Sequence, residues 1–200
     1  VGTVSMLVGS GGGFISESAG LETGNVSVVV NRVGAGGVAT AQTAVGTNGA
    51  GVQGTGALVI DVVSGDLVVK EGSTAAGVSA SGNLRLSAAG AVGVQSTVSS
   101  AGNISVLAAT GDVTLAATGD ITVTGAGTVD VQAAQAVTMV NAGATGNDNE
   151  TVISAAGNVS VKATAGDISV GQISSSAGKV VLQTSGSVTD GHTTAHVREM

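Results

Sequence analysis

Four aspartates in this sequence have carboxylates that could contribute to a metal site. Asp66, Asp112, Asp120 and Asp167 each follow a glycine and precede a short apolar–polar alternation. A calcium ion takes about six to eight oxygen ligands, so the single carboxylate of each Gly-Asp pair is too few. The Gly-Gly-x-Gly-x-Asp repeat of calcium-binding β-rolls is also absent from the sequence. We therefore predict that these aspartates, and the asparagines in the same place, cap turns by bonding their own backbone.

The densest cluster of side-chain oxygens is Asn147–Glu150, at the end of the most polar stretch, Asn141–Glu150. It is the best calcium candidate in the chain but a weak one, because it supplies few carboxylates. The stretch as a whole is predicted to bulge from the fold. From the sequence we assign no metal-binding residue and no cofactor.

Two histidines, His192 and His196, are four residues apart, with Glu199 beyond them. On a helix this spacing would place both rings on one face, where they could bind zinc. The flanking Thr193 and Thr194 favour a strand or loop instead, and on a strand residues four apart are separated by about 13 Å. We therefore predict a solvated histidine pair and no zinc site.

Catalytic groups have little support in the sequence. There is no cysteine nucleophile, and no Gly-x-Ser-x-Gly elbow lies between a strand and a helix. Acidic residues are spread singly, and the aromatic platforms on which sugar-cleaving enzymes bind their substrates are missing. The only Thr-x-Thr triplet within a repeat is Thr122-Val123-Thr124, so no regular ice-binding ladder is predicted. We predict that this segment is not an enzyme and has no catalytic residues.

The composition excludes several further classes. The 200 residues include 34 glycines and one Phe, but no Tyr, Trp, Pro or Cys. The apolar content is too high for a disordered chain, and the lack of proline excludes collagen. A net charge of −7 with scattered basic residues argues against nucleic acid as a partner. No apolar run approaches the ~18 residues of a membrane span, and no signal peptide is recognisable. Because the chain lacks a starting Met and stops abruptly, we interpret it as a piece of a longer protein.

One short pattern recurs along the chain: glycine, a small polar residue, then apolar, polar, apolar. The glycine and the polar residue suit a tight turn with positive φ, and the alternation has the period of a half-buried strand. No segment has a convincing helical period, and the end of Ala133–Val140 is predicted to be a strand. The eleven copies begin at Gly24, Gly65, Gly82, Gly102, Gly111, Gly119, Gly127, Gly157, Gly166, Gly178 and Gly186.

Every copy has the same orientation, and pairs of copies sum to about 17–21 residues, a plausible coil length. We therefore predict an all-β, right-handed parallel β-helix (β-solenoid) with coils of about 20 residues, and antiparallel β-sandwich repeats as the alternative. About ten coils would make a rod of ~50 Å. Residues 1–57 are predicted to be an irregular Gly-rich start, and residues 58–200 the regular coils. Within the first part, 34–56 suits a degenerate coil with wide turns or a protruding loop.

Two segments, Gly111–Val123 and Ser154–Gly191, resemble the repeats of filamentous-haemagglutinin-type adhesins of bacteria. The resemblance covers residues 58–191, and the first fifty only by composition. It implies a right-handed parallel β-helical rod, an extracellular or cell-surface location, and export that often uses an outer-membrane partner. The secretion segment of such proteins is not recognisable here.

The resemblance predicts a structural stalk of a large secreted or surface-exposed adhesin. Binding would come from loops 34–56 and 141–150, or from domains outside this segment. Its partners would be host or neighbouring-cell surface molecules, or polysaccharide. The alternative is a polysaccharide-binding or polysaccharide-degrading β-helix module, which would require carboxylates that converge in one groove.

Overall fold

The computed structural model describes residues 2–46, 51–71, 76–140 and 151–191. Every regular element in these ranges is a β-strand, and three large parallel sheets contain all but two of the strands. The fold is therefore a parallel β-helix, as predicted. The antiparallel sandwich is wrong, because each strand in the three sheets pairs with the strand one coil away.

The strands of the three sheets follow in order along the axis. Sheet A contains β1 (Thr3–Val4), β4 (Leu21–Thr23), β9 (Leu67–Val69), β12 (Val92–Val94), β15 (Val113–Leu115), β18 (Val137–Met139), β21 (Ile168–Val170) and β24 (Val188–Asp190). Sheet B contains β2 (Met6–Val8), β7 (Val52–Gly54), β10 (Ala76–Ala80), β13 (Thr97–Ser100), β16 (Ile121–Val123), β19 (Val152–Ala155) and β22 (Gln172–Ser175). Sheet C contains β3 (Gly13–Glu17), β8 (Leu58–Val62), β11 (Leu84–Ala88), β14 (Ile104–Ala108), β17 (Val129–Ala133), β20 (Val159–Ala163) and β23 (Val180–Thr184).

Each coil passes through sheets A, B and C in that order. The described residues complete seven coils, and β24 begins an eighth. The eight strands of sheet A span about 34 Å at ~4.8 Å per coil. The prediction of about ten coils and a ~50 Å rod is therefore wrong, because insertions lengthen two of the coils.

Neighbouring coils stack in register. Leu84 lies opposite Ile104 on the next coil. The turn contact beside this pair, from Asn103 to Asn83, joins positions that are 20 apart in the sequence. Longer coils separate the partners more widely, as where Ile104 lies opposite Val129. The coil length predicted from the sequence is thus confirmed for the shorter coils.

The core consists of columns of apolar side chains that run along the axis inside the coil. In sheet C the first, third and fifth residues of most strands point inward, and the second and fourth point outward. Identical positions therefore stack on one another along the axis. One such column is Ile60, Leu86, Val106, Val131 and Val161, all of which are fully buried. β-branched residues suit this arrangement because their rigid side chains fit the pleated surface of the next coil.

The three corners of the coil differ in how much chain they accept. Connections from sheet B to C, and from C to A, have three to five residues throughout. Connections from sheet A to B vary widely, from Gly171 alone between β21 and β22 to the whole of 24–51 between β4 and β7. The second longest, 140–151, joins β18 to β19. Insertions therefore collect at one corner, which we call the A–B edge.

The irregular sequence near the N-terminus has a structural origin at this edge. β1, β2 and β3 already form a regular first coil. The irregularity begins after β4, where Ser27–Val33 (β5) and Ala39–Val45 (β6) form an antiparallel hairpin that belongs to no coil. The repeat copy at Gly24 therefore leads into this hairpin. A degenerate coil was predicted at 34–56, but residues 34–45 form the turn and second strand of the hairpin.

Candidate functional site

The hairpin is the most distinct surface feature of the described residues. β5 and β6 pair over seven residues, from Ser27 opposite Val45 to Val33 opposite Ala39. At the tip, Gly34 donates its N–H to the Val38 carbonyl, and Gly37 adopts a φ of 79°, which favours glycine. The tip is therefore a closed turn.

Both faces of the hairpin lie in solvent. All seven residues of β5 are exposed, including Val29 and Val33, at 69% and 67% of their full accessible area. Within β6, Gln42 is half-buried and the other described side chains are exposed. Four exposed valines on one strand are unusual, because apolar residues normally lie on a buried face.

The outer edge of β5 presents free backbone groups. Gly34 N–H bonds Val38 at one end of the ladder, and Gly46 N–H bonds the Val26 carbonyl at the other. Antiparallel pairs alternate between bonded and non-bonded, so these two contacts set the alternation between them. By this count Ser27, Val29, Asn31 and Val33 turn their N–H and C=O groups away from β6. Among the described residues, β5 pairs only with β6.

The hairpin should be dispensable for the fold. Val26 and Gly46 are joined by a backbone hydrogen bond, so an Asn-Gly turn can replace residues 27–45 between them. Because β5 and β6 belong to none of the three coil sheets, we expect a midpoint of thermal unfolding within a few degrees of the parent chain. Far-UV circular dichroism measures this, and a large drop in the midpoint would show that the hairpin supports the coils.

The Asx side chains of the turns have a different partner from the one predicted. They do not bond their own backbone: each Oδ1 accepts an N–H from the next coil. Asn83 Oδ1 accepts from Asn103 N–H at 3.0 Å, and Asp112 Oδ1 accepts from Ala136 N–H at 2.9 Å. The same contact is made by Asp66, Asn103, Asp120, Asn158 and Asp167. The prediction that these residues are structural turn residues is retained, but they connect coils rather than close turns.

This contact also explains why glycine precedes the Asx residue. A Cβ atom on Gly102 would lie 2.7 Å from Asn83 Oδ1 and 2.8 Å from Asn83 N. The side chain of one coil thus occupies the space that the glycine of the next coil leaves open. Of the described glycines that begin a repeat copy, only Gly65 has positive φ. The prediction that these glycines mainly supply positive φ is therefore wrong.

Charge is distributed along these turn columns in a regular way. In the column before sheet A, Asp66, Asp112 and Asp167 alternate with Ala91 and Ala136. Carboxylates are therefore two coils apart, about 10 Å. In the column before sheet C, adjacent coils instead carry neutral Asn83, Asn103 and Thr128. Like charges are thereby kept off neighbouring coils, where they would repel.

Ala91→Asp tests this charge pattern. It would place carboxylates on three successive coils, and Coulomb repulsion at ~5 Å costs about 1 kcal/mol per neighbour in water. We expect urea unfolding to show a loss of about 1–2 kcal/mol in low salt, most of it recovered at high salt. Ala91→Asn is the neutral control and should not show the salt-dependent loss. Equal destabilisation by both variants would contradict the electrostatic explanation.

The other predicted sites are not brought together by the described structure. Asn147–Glu150, His192, His196 and Glu199 lie outside the described residues. Within the described ranges, no three acidic or histidine side chains are grouped closely enough to hold a metal ion.

Sheet B carries one feature that the sequence analysis missed. Thr122 points outward between Ser99 and Ser154, in a row that gives one hydroxyl residue per coil from Ser79 to Ser174. The first two strands of the sheet have Leu7 and Gln53 at this position. Thr124 leaves this row and donates to the Ser100 carbonyl. The row was missed because most sheet B strands lack the glycine that marks the repeat.

None of the described residues forms a helix with the length and apolar character that crossing a membrane requires. Comparisons with protein-family models, with curated proteins and with solved structures gave no match to this chain.

Proposed function

We propose that this chain is a stalk segment of a large secreted or surface-exposed bacterial adhesin, and that it displays binding elements along the A–B edge. The observation that carries the proposal is the contrast between corners. Two corners keep three to five residues in every coil, whereas the A–B corner accepts the whole of 24–51 in a single coil. A scaffold that varies at one edge alone presents its insertions in one direction.

The coils are built to add length. Each coil buries its apolar residues against the next and bonds it through backbone and Asx contacts, so every added coil repeats the same stabilising contacts. The resemblance of the repeats to filamentous-haemagglutinin-type adhesins supports the same function. The ligands of the adhesin would be surface molecules or polysaccharides of host or neighbouring cells. An outer-membrane partner would export the protein.

Surface labelling tests the location. Antibodies raised against the 200-residue chain should label intact cells of the source bacterium as strongly as permeabilised ones. Labelling only after permeabilisation would contradict the proposal. Antibodies against a cytoplasmic protein provide the control for cell integrity.

Adherence tests the display of binding elements. A strain whose protein carries an Asn-Gly turn in place of residues 27–45 should still be labelled but should adhere less to host cells or polysaccharide. The matched control replaces outward residues on sheet C, such as Ser105→Ala and Ser160→Ala, and should adhere normally. Equal adherence of both strains would place binding elsewhere in the protein.

A further inference from the structure

We propose that two copies of this chain associate through the hairpin, with the outer edge of β5 pairing antiparallel with the same edge of β5 in the second copy. The two hairpins would then form one four-stranded sheet across a two-fold axis. This inference concerns the chain itself and does not depend on its proposed place in an adhesin.

The edge of β5 has little of the usual protection against pairing. Natural edge strands discourage pairing with charged residues, proline, bulges or short length, and of these devices β5 has one charged residue, Arg32. β5 has seven residues in regular register with β6, contains no proline or lysine, and carries four valines. A two-stranded ribbon alone is marginal in water, and three or more strands with a hydrophobic face are needed for independent stability. Pairing with a second copy would meet that need.

The sequence of β5 is suited to pairing with itself. The residues that turn their N–H and C=O groups outward are Ser27, Val29, Asn31 and Val33. When Asn31 lies opposite Asn31 of the second copy, Val29 lies opposite Val33 on both sides of the axis. This register forms about six backbone hydrogen bonds. It also places Arg32 opposite Val30 of the second copy, so the two guanidinium groups are not directly opposed.

Charge favours the hairpin as the place where two copies meet. The chain has a net charge of −7, and residues 27–45 contain one charged residue, Arg32. The rest of the chain therefore carries −8, that is −7 minus +1. Contact between the β-helical coils of two copies would bring like charge together. Contact between their hairpins keeps the acidic coils apart.

β5 is a better edge than β6 for this pairing. The outward-turned residues of β6 include Ala39 and Ala41, and alanine is a poor strand residue. Val29 and Val33 of β5 are β-branched and expose most of their area, so pairing removes more apolar surface from water there.

Two proline variants test the proposal on the 200-residue chain. Asn31 and Ala41 face each other in one non-bonded pair, so their N–H groups point to opposite edges of the hairpin. Proline removes one donor and is tolerated at edges. Analytical ultracentrifugation of the parent chain should show a concentration-dependent dimer with twice the 18.7 kDa chain mass. We expect Asn31→Pro to weaken the dimer at least tenfold and Ala41→Pro to leave it unchanged.

Crosslinking provides a second measurement that does not depend on proline being tolerated. The chain has no cysteine, so single cysteines report one position each. A short thiol crosslinker should join Asn31→Cys chains into dimers more efficiently than Ala41→Cys chains, which lie one strand further from the axis. A monomeric parent chain, a dimer that survives Asn31→Pro, or preferential crosslinking through Ala41→Cys would each overturn the proposal.

Discussion

Replacing Val106 with aspartate is expected to unfold the middle of the β-helix. Val106 is fully buried at the centre of β14, between Leu86 of the preceding coil and Val131 of the next. A carboxylate there would lose its water and find neighbouring apolar side chains on either side. We expect a loss of more than about 4 kcal/mol, which is at the extreme end of single substitutions.

The neighbouring residue provides the control. Leu107 follows Val106 on β14 but points outward, with Ser87 and Gln132 beside it on adjacent coils. Leu107→Asp introduces the same charge one residue away, where it stays in contact with water. We expect a cost below about 1 kcal/mol, the usual range for surface changes. Urea unfolding followed by far-UV circular dichroism compares the two, and similar losses would contradict the assigned inward and outward faces.

Gly102→Ala is expected to have the second-largest effect, although it adds only one methyl group. The added Cβ would meet Asn83 Oδ1, Asn83 N and the Gly82 carbonyl carbon, all within 2.8 Å. Two of these atoms are backbone, so the coils must move apart locally. Asn103 would then lose its bonds to Asn83 Oδ1, which run at 3.0 Å from its N–H and 3.1 Å from Nδ2. We expect a loss of about 1–3 kcal/mol in urea unfolding.

Gly93 provides the matched control for Gly102. Gly93 is the outward residue of β12, and a Cβ there would have no neighbour closer than 4.0 Å. Alanine also restricts the unfolded chain more than glycine does, so Gly93→Ala should leave stability unchanged or raise it by up to about 1 kcal/mol. If both alanine variants were equally destabilised, the cost at Gly102 would come from strand preference and not from coil contact.

The repeat pattern predicted five of the seven strands of sheet C and four of the eight strands of sheet A from the sequence. Copies at Gly102 and Gly111, for example, begin β14 and β15. Sheet B was largely missed, because only the copy at Gly119 precedes one of its strands, β16. Strands such as Thr97–Ser100 begin without a turn glycine, since the A–B corner is built differently in each coil. The number of coils could therefore not be counted from the copies alone.

The hairpin shows a second limit of local sequence. The copy at Gly24 has the same pattern as the copies that begin coil strands, yet it leads into β5. An alternating strand has the same local signature whether its partner is one coil away or across a turn. The available signal was the glycine cluster Gly34–Gly37 after the valine-rich run Val28–Val33, because glycines that follow a strand are typical of a hairpin turn.

The contacts between stacked turns could not be predicted from the local sequence. Asn83 and Asn103 are 20 residues apart, and their contact exists only after the coils stack in register. Local rules therefore assigned each Asx side chain to its own turn. The alternation of Asp112 with Ala91 and Ala136 was visible in the sequence, but its electrostatic reason required the column to be known.

The A–B edge offers insertion sites whose spacing along the axis is set by the number of coils between them. Peptides inserted at this corner between β4 and β7 and between β18 and β19 would leave the rod four coils apart, or about 19 Å. Because the coils between them are fixed in register, that spacing can be set in steps of ~4.8 Å by choosing the coil. Two ligands grafted at chosen steps would test how a bivalent receptor responds to distance, with the effective concentration of the second ligand set by the scaffold and not by a flexible linker.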